Sequence, residues 1–192
     1  GMPWQGETEI GVSPQKQEEF TLFLRIPAWS LATRVEVNGQ RVREPVRPGG
    51  YLALRRVWNK GDRVRVEFDM TPRRVFANPR VSEDHGKAAL QRGPFIYCLE
   101  KHDNPDVDVF EVSLNGRAGL EPVRGSGALS GAILLRTEGL AYDGPLSERP
   151  LYEFQPAAPR RRVRLVFVPY YAFHDRGPAD FTVWLPCVNC GR

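Results

Sequence analysis

Long apolar runs, lysine, cysteine and histidine are all scarce in this 192-residue chain, and each scarcity narrows what it can be. No stretch approaches the roughly 18 consecutive apolar residues that a membrane-crossing helix needs, so no membrane partner is expected. The three cysteines are an odd count: Cys98 lies in an apolar segment, and Cys187 and Cys190 form a lone Cys-x-x-Cys near the C-terminal end. That is too little for a disulfide framework, and no second Cys or His pair stands at zinc-ligand spacing, so residues 187–192 read as a tail. The three histidines, His85, His102 and His174, each neighbour an aspartate (Asp84, Asp103 and Asp175). Adjacent residues in a strand point to opposite faces, so this adjacency does not build a catalytic dyad, and surface or loop histidines are expected.

Lysine is outnumbered 4 to 23 by arginine, and the arginines are interleaved with acids along almost every segment. The net charge of +4 is therefore spread over a solvated surface, and nucleic acid is not an expected partner. The densest cluster, Arg160-Arg161-Arg162 with Arg164, runs into Val163, Leu165 and Phe167, where alternation puts the arginines on the outer face of a strand. The start, Gly1-Met2-Pro3-Trp4, has neither the basic end nor the apolar core of a signal peptide, which favours a cytoplasmic setting.

Helical periodicity is missing too, and period-2 alternation stands in its place. Phe20, Leu22, Leu24 and Ile26 share one face of a strand that Pro27 stops. Val35 and Val37 lead into Asn38-Gly39, whose ready access to positive φ suits a two-residue hairpin turn. Tyr51 to Val57 follows Gly49-Gly50, and Asn59 to Asp62 turns the chain into its most regular strand. Val64, Val66, Phe68 and Met70 point one way there, and Arg63, Arg65, Glu67 and Asp69 the other. Burying that apolar face contributes on the order of 5 to 10 kcal/mol before entropy, and a one-residue slip forfeits it. Further short strands are expected at Val109–Leu114 and Ala132–Thr137, with an irregular, proline-rich connection over Gly144–Pro159. Many short strands between Gly and Pro turns predict an all-β chain of two β-sandwich, jelly-roll-like domains. The first is placed at 3–92 and the second at 93–178, with Lys87 to Glu100, broken at Gly93-Pro94, as the junction between them.

Chemistry is harder to find. Gly125-Ser126-Gly127-Ala128 lacks the strand-to-helix setting of a nucleophile elbow and reads as a turn. Acids are scattered, and no pair stands out as a glycosidase acid and base. Asn104, Asp106 and Asp108 share a face of an extended segment and offer three side-chain oxygens to a calcium ion, without the glycine and terminal glutamate of an EF-hand loop. Trp4, Trp29, Trp58 and Trp184 have the flat apolar faces that stack on sugars, although core packing competes at each; Trp29, in a loop after Pro27, is the best placed to touch carbohydrate.

Nearly the whole chain also resembles a known family. Pro3-Trp4-x-Gly6, Leu24-Arg25-Ile26-Pro27-x-Trp29, Val37-Asn38-Gly39, Arg73 to Pro79, Gly86 to Glu100, and Pro169-Tyr170-Tyr171-Ala172 through Trp184 are similar to the C-terminal region of family 127 glycoside hydrolases, the β-L-arabinofuranosidase-like family. The resemblance implies an (α/α)6 barrel followed by two β-sandwiches, with the last strand, near 179–186, returning to complete the first sandwich. It places the family's cysteine nucleophile and its zinc in the barrel. Cys98, Cys187 and Cys190 do not match that ligand pattern, so no catalytic, metal or cofactor residue is assigned here. The expected role is a non-catalytic accessory region whose partner is the missing barrel, or a homodimer interface. The rival expectation is an autonomous carbohydrate-binding module with a glycan as partner.

Overall fold

A computed structural model describes residues 2–142, 144, 146–155 and 161–190. Among these residues the chain is all-β, with short 3-10 turns and no α-helix, as the alternating pattern predicts. It divides into two compact units, residues 1–71 and 72–192.

The first unit contains β1 (Glu7–Val12), β2 (Glu18–Arg25), β3 (Arg34–Val37), β4 (Gln40–Arg41), β5 (Tyr51–Trp58) and β6 (Asp62–Glu67). A four-stranded sheet runs β1-β6-β3-β4, and β2 pairs with β5 in a separate two-stranded sheet. One core joins them: Val35, Val64 and Val66 from the larger sheet meet Leu24, Leu54 and Trp58 from the smaller, all but wholly buried. That is a sandwich-like packing, with alternate residues of each strand pointing inward. Asn38 and Gly39 turn β3 into β4 with φ of 51° and 77°, the left-handed pair that the sequence calls for.

The second unit contains β7 (Arg73–Val75), β8 (Lys87–Arg92), β9 (Phe95–Glu100), β10 (Val112–Asn115), β11 (Glu121–Arg124), β12 (Ile133–Ala141), β13 (Arg161–Pro169), β14 (Phe181–Thr182) and β15 (Leu185–Val188). Pairing runs β9-β13-β12-β10-β15-β8, and β8 pairs again with β9, so these strands close into a barrel-like ring. Strands β7, β11 and β14 attach to its rim at β8, β12 and β9. Tyr97, Phe167, Leu90, Leu99, Leu114, Leu135 and Leu165 fill the interior with no exposed surface. Closure removes free sheet edges and gives the inward residues of every strand a common core.

The expected domain layout changes. The boundary falls between Thr71 and Pro72, not at 92/93. Gly93-Pro94 is a hairpin turn inside the second unit: Arg92 pairs with Phe95 across it, and Gly93 has φ of 57°, as a tight hairpin requires. The strand near 179–186 meets residues 87–88, inside the range 3–92 but in the second unit: β14 pairs with β9, and β15 lies between β8 and β10. The end at 187–190 is likewise no loose tail. Cys187 and Val188 belong to β15, parallel to Leu114 and Asn115, and Cys187 is disulfide-bonded to Cys190. Residues 191–192 lie outside the described residues, as do Arg160 and three of the four prolines of the 144–159 connection.

Candidate functional site

A buried cluster of charged groups forms where β9 ends. Glu100 closes the apolar run Phe95–Leu99, and β13 and β14 flank it, so its side chain has no exposed surface. A carboxylate buried this way needs compensation. Arg176, in the turn after His174, donates to Glu100 Oε2 at 2.6 Å and takes Asp103 with two further bonds. The backbone N–H of His174 donates to Glu100 Oε1 at 3.1 Å, and His102 Nδ1 lies 3.5 Å from the same oxygen. Hydrogen bonding to Asp103 holds the Arg176 guanidinium protonated, its pKa above the ordinary value; Glu100 adds to the effect and burial opposes it.

This cluster clamps the segments at 101–103 and 173–180 to the barrel. The second is set by His174, which has φ of 63° and whose Nε2 lies 2.8 Å from Ala179 O. Breaking a buried pair of this kind by removing one partner costs about 3–5 kcal/mol, because the remaining charge stays uncompensated. Beside it, His102 and His174 border an open hollow of about 610 Å³. The Glu100 carboxylate is bound by donors from Arg176 and the backbone of His174, which suits holding a loop in place.

The residues singled out in the sequence mostly go elsewhere. His85 is exposed after the turn Ser82–Asp84, and Asp103 pairs with Arg176 rather than with His102. Asn104 is buried and its side chain is committed to backbone: it donates to Glu100 O and Val166 O and accepts from Val166 N. Asp108 accepts from Phe110 N at 2.8 Å, a local turn, and Asp106 is exposed. These three do not converge on a cation. Trp58 is core, donating to Phe20 O at 3.0 Å, while Trp29 is half-buried against Phe68 at 5.6 Å between ring centroids. Trp4 and Trp184 are also half-buried. Gly127 to Leu129 form a 3-10 turn, as the Gly-Ser run predicts.

A zinc site of the kind implied by the family resemblance does not fit these residues. Cys98 is buried and alone, Cys187 and Cys190 are bonded to each other, and no three His, Cys, Asp or Glu of the described residues gather around a common point. Glu100 and Arg176 were missed in the sequence because they are 76 positions apart. The one available signal was a charged residue ending an apolar run.

The all-β chain of two units carries a buried charge cluster that fastens its loops, and comparison with known proteins identifies its family. Residues 1–70 match the family model described as the β-L-arabinofuranosidase, GH127 middle domain, and residues 72–186 match the glycoside hydrolase family 127 C-terminal domain. The chain belongs to glycoside hydrolase family 127. It is 31% identical over 194 aligned residues to the non-reducing end β-L-arabinofuranosidase of Bifidobacterium longum subsp. longum, covering 95% of this chain and 29% of that protein. The crystal structure of a GH127 β-L-arabinofuranosidase from Geobacillus stearothermophilus T6 superposes with a TM-score of 0.87 at 37% identity, over 97% of this chain and 29% of that one. A structure described as a glycoside hydrolase gives 0.89 at 29% identity, over 98% and 31%. The chain thus spans under a third of the length of these relatives.

Proposed function

We propose that this chain is the non-catalytic accessory region of a β-L-arabinofuranosidase-like glycoside hydrolase, packing against a catalytic barrel or forming a subunit interface. The observation that carries the reading is that its two units match the middle and C-terminal domains of the family and cover only 29% of the curated relative. The outer face of the β2–β5 sheet supports it. Phe23, Tyr51 and Val57 stand there 63%, 69% and 46% exposed among Arg25, Arg55 and Glu19, a mixed surface with large apolar side chains of the kind that meets another body. The rival, a carbohydrate-binding module centred on Trp29, has less support, because that ring is half-buried against Phe68.

The isolated chain should not hydrolyse an aryl β-L-arabinofuranoside, and the corresponding residues should be required for a soluble, active full-length enzyme. Turnover by the chain after purification to homogeneity, or full activity of a parent enzyme lacking these residues, would overturn the reading.

A further inference from the structure

The outer face of the second unit carries a groove whose chemistry the accessory role does not use. It lies over β12 and β13 and is walled by the segment 115–121. One hollow of about 610 Å³ is bordered by Arg136, Glu138, Arg162 and Arg164. An adjoining hollow of about 490 Å³ shares Glu138 and Arg162 and adds Arg117.

The strand register aims these side chains. Arg162 and Arg164 alternate with Val163 and Leu165, which are buried, so both guanidinium groups point outward, roughly 6.8 Å apart along the strand. Glu138 lies opposite Arg164 across the β12–β13 ladder, and Arg136 lies opposite Glu121 across β11–β12. Among the described residues only Arg162 finds an ion partner here, Glu138 at 3.5 Å; Arg117, Arg136 and Arg164 have none.

The wall is built in advance. Arg74 reaches from β7 to donate to Asn115 O at 3.0 Å and Ala118 O at 2.5 Å, and Thr137 Oγ1 donates to Gly119 O at 2.8 Å. Arg74 is itself half-buried, and burial lowers its pKa from the ordinary value. A segment held from both sides presents its groove without a further ordering cost.

We propose that this groove binds a carboxylated oligosaccharide, a chain of uronic acid residues. Guanidinium groups match carboxylates with paired, charge-assisted hydrogen bonds. The two glutamates among the arginines select against a continuous run of phosphates, and their carboxylates can accept from sugar hydroxyls. A neutral sugar offers these three guanidinium groups hydroxyl acceptors but no counter-charge. The inference goes beyond the accessory role and does not depend on it: the groove lies wholly in the second unit and the exposed β2–β5 surface wholly in the first, so the two readings can fail separately.

The test is calorimetric titration of the whole chain with tetragalacturonate, with a neutral arabino-oligosaccharide of equal length and with a single-stranded oligonucleotide of equal charge. Tetragalacturonate should bind, at least about tenfold more tightly than either other probe. The pair Arg162→Gln and Arg164→Gln should weaken it by about tenfold or more at an unchanged thermal midpoint, and Arg136→Gln alone should weaken it measurably. The pair Arg43→Gln and Arg47→Gln, which removes equal charge from the first unit, should leave it unaltered. Absence of galacturonate binding, equal binding of the neutral sugar or the oligonucleotide, or equal losses in both double variants would each overturn the proposal.

Discussion

Cys98 has no exposed surface, and burial, with the negative charges of Glu100 and Asp103 adding to it, pushes its thiol pKa up to about 12. Thiolate is the reactive form, so this cysteine is inert near neutral pH in the folded chain. With Cys187 and Cys190 joined, a thiol reagent at about pH 8 should find no group in the native protein and a single one after denaturation; rapid labelling of the native chain would refute the placement. Tyr97, its neighbour on β9, is buried in the same way and has its hydroxyl committed to Ile133 O at 2.8 Å. At this scale the sequence is informative about one face and silent about the other. The apolar run Phe95–Leu99 announces burial, but nothing near Glu100 announces Arg176, because the partner of a buried charge is chosen by the fold and not by the neighbouring residues.

The β3–β4 hairpin is the element that local chemistry determines most fully. Asn38 takes a left-handed conformation at the turn, while its side chain accepts from Arg63 N and donates to Asp62 Oδ1 at 2.9 Å, tying the hairpin to β6. The backbone N–H of Asn59, with the Asn38 amide adding to it, holds the Asp62 carboxyl below its usual pKa, against a smaller opposing effect of burial. The unfolded chain, titrating near about 3.9, therefore takes up the proton first as the pH falls. The stabilisation is present above about pH 4 and is lost as the pH drops through the folded-state value. The thermal midpoint of the native chain should fall more steeply below about pH 4 than that of Asp62→Asn; parallel profiles would exclude this contribution. The Gly93-Pro94 hairpin was legible as a break but not as a turn within one unit. A Gly-Pro step punctuates strands equally well between domains and inside one, and only the pairing of β8 with β7, β9 and β15 decides which it is.

For the molecule as a whole, each unit carries its own hydrophobic cluster, one around Trp58 and Val64 and the other around Tyr97 and Leu165. Leu165 is fully buried, so Leu165→Ala should cost the second unit about 2–5 kcal/mol. Hydrogen exchange should then quicken among amides of residues 72–190 and stay unchanged among those of residues 2–71; equal acceleration throughout would show that the two cores do not act separately. The arginine groove belongs to this scale as well. Arg117, Arg136, Arg162 and Arg164 come from three separate stretches of chain, and only the antiparallel ladder of β12 and β13, with the wall held by Arg74, makes one surface of them.

The sequence by itself determined the strands, because alternation and turn chemistry act over a few residues: β2, β5, β6 and the Asn38-Gly39 hairpin follow from side chains within reach of one another. It also carried the family, through motifs spread along its length. The tertiary structure alone decided that the second unit begins at Pro72 and closes through β8 and β9, that β15 slips between β8 and β10, and that Glu100 meets Arg176. Those outcomes rest on contacts between residues far apart in the chain. A strand's pattern says which face it must bury, and any partner with a matching apolar face and free hydrogen-bonding edge can satisfy it until the whole barrel has closed.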